Sequence, residues 1–188
     1  MQYASIYLGS INRNAFPVLR YASAAYWRSS YNNSTYYDDI GLVRMNDITP
    51  TGLNIRPIAL PSRSQASLTY LNTILTMSGW GRMNDGQLAN NLQYTDVIGI
   101  SEMECRSSYG AMIVPTILCT RGYPDLTQGV CPGDGGGALI TKTYPPVAVA
   151  INTFMAAIGC SLGYPQGYTK IGPYLDWISS YTGNPVTN

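Results

Sequence analysis

Cys131-Pro-Gly-Asp-Gly-Gly-Gly-Ala-Leu139 is the most specific segment of this 188-residue chain. Five of its nine residues are glycine or proline, and glycine reaches backbone conformations that other residues avoid. The segment therefore predicts a tight loop whose backbone N–H groups can converge on an anion. A tight turn that binds nothing fits the same residues, so the loop alone leaves both interpretations open.

The composition excludes several classes of function. The chain has eleven Lys and Arg and ten Asp and Glu, which give a net charge of +1. It therefore lacks the basic surface by which proteins hold nucleic acid. No apolar stretch approaches the roughly 20 residues that span a membrane. Histidine is absent, which removes the commonest general base and the commonest metal ligand. We expect no metal, no cofactor, no nucleic-acid partner and no membrane partner.

Short apolar or alternating segments, separated by glycine and proline, predict an all-β fold of the barrel or sandwich type. The predicted strands are residues 4–8, 40–45, 71–80, 92–100, 116–120, 138–141, 147–153 and 167–171.

Two helices interrupt this pattern. Ser101-Glu-Met-Glu104 predicts a capping box at the start of one helix. The other helix begins near Pro173 and ends before Gly183. A polar link near residues 61–67 predicts a division into a partial N-terminal barrel, residues 1–66, and a C-terminal barrel, residues 67–188.

The four cysteines indicate two disulfides. Cys105, Cys119, Cys131 and Cys160 form no CxxC pair, and without histidine they make a poor zinc site. Three connectivities are possible on counting alone. Disulfides persist in oxidising compartments, and overlapping glycosylation sequons at Asn32 and Asn33 agree with an extracellular location.

Four ordered motifs resemble chymotrypsin-like serine proteases of the trypsin family. The loop at 131–139 resembles the nucleophile loop, which reads Gly-Asp-Ser-Gly-Gly in active members. Asp38-Asp-Ile-Gly-Leu-Val-Arg44 resembles the strand of the triad aspartate, and Ser78-Gly-Trp-Gly81 a substrate-site loop. Gly163-Tyr-Pro-Gln-Gly-Tyr-Thr-Lys170 resembles the C-terminal strand. The overlap covers nearly the whole chain, looks most like arthropod members, and implies a double β-barrel with a C-terminal helix.

The resemblance also implies a site. Asp39 takes the position of the triad aspartate and Gly135 that of the nucleophile. An oxyanion-hole-like nest is implied at Gly133, Asp134 and Gly135. A specificity-pocket-like set comprises Gly129, Thr153, Phe154, Met155 and Gln166, whose uncharged floor implies an apolar or neutral preference. The implied disulfides are Cys105–Cys119 and Cys131–Cys160.

Two departures from the family matter more than the matches. Glycine stands where the nucleophilic serine is expected, and no histidine is present to act as base. Residue 1 aligns just beyond the family's histidine, so the resemblance implies a truncated, incomplete first barrel. In the family, the aspartate at the position of Asp134 pairs with the amine of a new N-terminus released by cleavage.

These observations predict a catalytically inactive, secreted protease homologue that acts by binding protein, modulating an extracellular protease cascade. The exposed edges of an incomplete barrel predict a protein partner or self-association. Two alternatives stay open: a structural extracellular scaffold, and a truncated or Ser-to-Gly form of an active endopeptidase.

Overall fold

The computed structural model describes residues 4–46 and 51–188, and these form two antiparallel sheets followed by a C-terminal helix. The strands are β1 Ser5–Leu8, β2 Val18–Trp27, β3 Gly41–Met45, β4 Ile74–Gly79, β5 Gln93–Gly99, β6 Ile117–Gly122, β7 Ala138–Thr141, β8 Ala148–Phe154 and β9 Gln166–Lys170. The helices are α1 Arg63–Ala66, α2 Glu102–Tyr109 and α3 Leu175–Thr182.

Six strands close into a barrel in the order β4-β5-β6-β9-β8-β7. Every second side chain of these strands points inward, so Leu75, Val97, Leu139, Val149 and Tyr168 meet in one fully buried core. Closure pairs every strand on both sides and leaves no free backbone edge. The expected all-β fold and its C-terminal barrel strands are confirmed, with bounds shifted by a few residues.

The second sheet is open and has the order β1-β2-β3. Its central and longest strand, β2, was missing from the sequence-based prediction. Arginine, serine and alanine occupy most of its central positions, so β2 lacks the apolar alternation that marks a strand. Residues 1–3 and 47–50 of the predicted N-terminal unit lie outside the described residues, and the division at residue 66 stays a prediction.

Helix capping differs from the expected pattern. The Ser101 hydroxyl accepts a hydrogen bond from the Glu104 N–H at 3.1 Å, but the Glu104 side chain reaches Arg121 instead of returning to the cap. The full capping box lies at Ser62 and Gln65, at the start of α1. The segment predicted as a polar link therefore contains a helical turn.

Helix α3 holds the open sheet against the barrel. Ile40 is buried in a cluster with Ile171, Tyr174 and Ile178, and Leu42 packs on the same cluster. The helix therefore covers Ile40, which precedes β3, and Leu42 within β3. None of the helices in the described ranges is long and apolar enough to cross a membrane.

Candidate active-site region

The loop after Cys131 is held by backbone hydrogen bonds and by one disulfide. The Asp134 N–H donates to the Cys131 carbonyl and the Gly137 N–H to the Asp134 carbonyl, both at 3.0 Å. Gly133 and Gly136 have φ values of 105° and 82°, where side chains with a Cβ are strained. The Cys131–Cys160 disulfide ties this loop to the segment after β8. Both expected disulfides, this one and Cys105–Cys119, are confirmed.

Gly135 lies at the tip of this loop beside open space. A Cβ built on Gly135 would meet no atom within 4 Å, so a serine side chain would fit there without displacing a neighbour. The N–H groups of Gly133 and Gly135 donate no hydrogen bond to any residue in the described ranges. The loop therefore presents two available donors and no nucleophilic oxygen.

The Asp134 carboxylate turns away from the tip and binds backbone N–H groups. Its oxygens accept from Gly81 at 2.8 Å and from Cys131 at 2.9 Å. A Cβ on Gly79 or Gly81 would lie 2.0 Å or 2.4 Å from a carboxylate oxygen, which explains both glycines of the Gly-Trp-Gly motif. Within the residues described, no Lys or Arg pairs with Asp134.

The two neighbouring aspartates of the triad-like segment occupy different environments. Burial raises the pKa of Asp39 above its usual value, and the Thr153 hydroxyl offsets part of the rise. Burial also acts to raise the pKa of Asp38, but the hydroxyls of Ser30 and Tyr174 and the Arg28 guanidinium outweigh it and lower that pKa. Asp38 is thus a structural carboxylate that the motif did not reveal.

The residues assigned to the specificity pocket come together, but side chains occupy the space between them. The Gln166 Nε2 atom lies 1.4 Å from the position that a Cβ on Gly129 would take, so the amide fills the volume above this glycine. Phe154 lies over Gly167 and stacks on Tyr36, with ring centroids 5.4 Å apart.

The remaining two residues of the pocket set pack into the barrel. The Thr153 hydroxyl lies 2.8 Å from that of Thr169, and Met155 packs on the barrel core. A cavity of about 370 Å³ opens beside the loop, and Gly129 lines it together with Gly79, Arg82 and Asp134.

Three buried polar residues of this region were missed from the sequence. Thr120, Asn152 and Tyr168 lie on barrel strands next to Gln166, and less than a tenth of each is exposed. Thr120 and Asn152 each follow a run of apolar residues in β6 and β8, which is the signal that could have identified them, whereas β9 is polar around Tyr168 and gives no such signal. Asn32 and Asn33, the sequon residues, lie exposed between β2 and β3, and their glycosylation stays a prediction.

Comparison with known proteins places this geometry in a family. The family model described as Trypsin matches residues 4–178. A collagenase from Hypoderma lineatum is 30% identical over 179 residues, which are 95% of this chain and 66% of the relative. Brachyurin from Leptuca pugilator is 32% identical over 156 residues, 82% of this chain and 65% of the relative.

A solved structure described as HL collagenase superimposes with a TM-score of 0.89 at 28% identity, and the match covers 98% of this chain and 78% of that chain. The chain spans about two thirds of the length of the curated relatives named above. Because the family model, the relatives and the superposition agree from the open sheet to α3, the chain belongs to the trypsin family of serine proteases and has its chymotrypsin-like fold.

Proposed function

We propose that this chain is a non-hydrolytic member of the trypsin family that acts by binding polypeptide. The observation that carries the proposal is Gly135, which stands at the nucleophile position and offers no oxygen. Acyl transfer by this family needs a serine Oγ to attack the carbonyl. This argument holds whatever residues precede or follow the chain, because the missing oxygen lies inside it.

The state of Asp39 supports the same conclusion. A triad aspartate orients a histidine and stabilises its charged form. No histidine occurs in the 188 residues for Asp39 to orient, and burial raises the pKa of Asp39 despite the hydrogen bond from Thr153. When triad residues are deleted, the oxyanion-type donors and binding alone still accelerate the reaction about 10³–10⁴-fold over water. Working enzymes accelerate their reactions about 10⁶-fold or more.

The chain keeps groups that can bind a polypeptide, although it lacks the nucleophilic oxygen. The free N–H groups of Gly133 and Gly135 can hold a carbonyl oxygen of a bound chain. The outer strands β1 and β3 of the open sheet each have an edge without a sheet partner among the described residues, which suits strand addition by a protein partner or a second copy. Two disulfides favour an extracellular setting, where such a protein would modulate a protease cascade.

A direct test is a search for hydrolysis and for an activated nucleophile. The wild-type chain and the Gly135→Ser variant are incubated with fluorescent casein and with a fluorophosphonate, beside an active brachyurin as positive control. We expect neither protein to cleave or to be labelled, because the restored hydroxyl still lacks a base. Cleavage by the wild-type chain well above background would refute the proposal.

A second candidate is a Ser-to-Gly form of an active endopeptidase. The open space around a Cβ at residue 135 favours it, since the loop would accept serine without rearrangement. Hydrolysis that appears only in Gly135→Ser would establish this candidate in place of a specialised binding protein. Equal thermal midpoints of the two proteins would show that any difference lies in chemistry and not in folding.

A further inference from the structure

A second cavity, of about 260 Å³, lies where the start of α2 meets the barrel strands β6 and β9. It shares no lining residue with the loop at 131–139 or with the residues assigned to the specificity pocket. Its buried wall is apolar, and each residue of that wall is less than a tenth exposed: Ile100, Ile117, Leu118 and Cys119. Leu71 and Glu102 line it as exposed residues. The cavity is therefore apolar where it is buried and polar where it meets solvent.

Lys170, the last residue of β9, brings a cation to this cavity. Its Nζ donates to the Pro115 carbonyl at 2.8 Å, which uses one of the three ammonium donors. No carboxylate in the described ranges lies within 4.0 Å of this nitrogen. Lys142, the other lysine of the sequence, pairs with Asp96 at 2.6 Å. Lys170 thus differs from Lys142 in having spare donors and no counter-ion in contact.

The acidic residues closest in the fold are already bound by arginines. The Glu102 carboxylate accepts from Arg106 at 2.8 Å, and the Glu104 carboxylate pairs with Arg121 at 3.3 Å. Burial lowers the pKa of Lys170, and the electrostatic effect of Glu102 opposes this only in part. An anion placed against the Lys170 ammonium would therefore supply a charge that the surrounding residues do not.

We propose that this cavity binds a short aliphatic carboxylate, with the carboxylate on Lys170 and the hydrocarbon chain against Ile100 and Ile117. The proposal goes beyond the function proposed above and does not depend on it. The apolar wall favours an alkyl chain because burial removes that chain from water. A hydrogen bond between an ammonium and a carboxylate is stronger than one between neutral groups.

The volume of the cavity limits the length of the guest. In liquid water each molecule takes about 30 Å³, so a cavity of about 260 Å³ corresponds to roughly eight or nine such molecules. Hexanoate, with six carbons and two oxygens, is of that size. It also falls just below the range of about 300–1,000 Å³ that is typical of pockets for drug-sized ligands.

Other guests of the same length match the cavity less well. Hexanamide and 1-hexanol present the same chain but no charge to the Lys170 ammonium. Hexylamine places a second cation beside it, which is unfavourable. A dicarboxylate such as adipate presses its second charge against the apolar wall, where a charge without a partner is costly. The expected preference is therefore for one carboxylate on one alkyl chain.

The first test follows the lysines themselves. The wild-type chain is labelled with ¹³C at the lysine ε carbons, which gives one NMR signal for Lys170 and one for Lys142, and hexanoate is titrated. We expect the Lys170 signal to move to saturation and the Lys142 signal to stay in place. Hexanoate should bind about tenfold or more tightly than hexanamide or 1-hexanol, the scale of a hydrogen bond to a charged group.

The second test changes the cation. Lys170→Met keeps the length of the side chain and removes its charge, so hexanoate should lose its advantage over hexanamide. Lys170→Arg restores a cation and should restore that advantage, whereas Lys142→Met, the matched control, should leave it unchanged. Thermal midpoints show whether each variant is folded. If Lys170→Met does not fold, the wild-type titration and Lys170→Arg still decide the matter.

The third test varies the chain. From butanoate to hexanoate, each added methylene should tighten binding about fourfold, the value expected for burying one CH₂. From hexanoate to decanoate the gain should stop, because the cavity is already filled.

Four outcomes overturn the proposal. They are absence of a saturable shift at Lys170, equal shifts at both lysines, equal affinity for hexanoate and hexanamide, and affinity that rises without a break to decanoate. The second indicates general ion pairing and the fourth general apolar adsorption. None of them bears on hydrolysis, which the casein and fluorophosphonate assays report separately.

Discussion

The closed barrel and the open sheet of this chain show two ways of stabilising β-strands. The barrel pairs every strand on both sides, buries a contiguous apolar core and contains both disulfides. The sheet has two outer strands, and its outer face exposes Leu19, Tyr21 and Trp27, the last at 67%. The barrel is stabilised by its own core, whereas the sheet depends on contacts with neighbouring parts of the molecule.

Among the contacts that attach the sheet and its flanking segments to the rest of the molecule are one buried hydrogen bond and one aromatic pair. The Tyr174 hydroxyl donates to Asp38 at 2.6 Å, across 136 residues of sequence. The Tyr26 ring lies 4.5 Å from the Tyr181 ring of α3, centroid to centroid. Segments with few buried contacts open at low free energy, so the sheet should be the less stable region and these contacts should control it.

The largest expected effect is in hydrogen exchange. Amides of β1 and β3 should exchange at least about a hundredfold faster than those of the barrel strands, since local opening of the sheet leaves the barrel intact. Exchange mass spectrometry on the wild-type chain, with light scattering for its mass, measures this. A monomer with uniformly slow exchange would show that the sheet is stable alone, and the argument for a strand-donating partner would fail.

The next prediction compares one leucine from each region. Leu139 of β7 is 0% exposed and Leu19 of β2 is 38% exposed. Leu139→Ala should lower the free energy of unfolding by about 3 kcal/mol, because it leaves a cavity in the barrel core. Leu19→Ala should change it by no more than about 0.5 kcal/mol. Urea unfolding measures both, and similar losses would show that the sheet also has a packed core.

The sequence reveals those strands and site residues whose pattern is local, and not those that depend on residues distant in sequence. The barrel strands are visible because inward residues such as Leu75 and Val97 mark them as apolar. Strand β2 is hidden because its packing depends on partners in β1 and β3 and not on its own pattern. Asp38 accepts a hydrogen bond from Tyr174, which is distant in sequence, and Gln166 fills the volume left by the missing Cβ of Gly129. No local sequence pattern encodes either contact.

Acid should weaken the attachment of the sheet through Asp38. The folded-state pKa of Asp38 is lowered, because its hydrogen bonds and Arg28 outweigh burial, so its stabilisation is present above the unfolded pKa near 4 and declines as the pH falls through the folded value. Asp38→Asn should cost about 2 kcal/mol at pH 7 and less at pH 3, where the stabilisation has begun to decline. Asparagine tolerates the positive φ of 56° at this position, so the change tests charge and hydrogen bonding.

The exposed Asp85→Asn is the matched control for Asp38→Asn, and it should alter stability at neither pH. Denaturation monitored at both pH values separates the two variants. An Asp38→Asn loss that persists undiminished at pH 3 would show that the carboxylate charge is not what holds the sheet.

The smallest effect is expected at the aromatic contact between the sheet and α3. Tyr181 is half exposed, yet its ring contacts both Tyr26 and Trp177, whose centroids lie 4.5 Å and 5.5 Å away. Aromatic pairs contribute roughly 0.5–1.5 kcal/mol beyond their buried area, so Tyr181→Ala should cost about 1 kcal/mol, and Tyr144→Ala, 98% exposed, should cost nothing measurable. Exchange should accelerate in β2 and remain unchanged in the barrel, because the contact belongs to the sheet. Acceleration that spread through the barrel strands would instead mean that sheet and barrel unfold as one unit, and the contrast between them would be one of shape and not of stability.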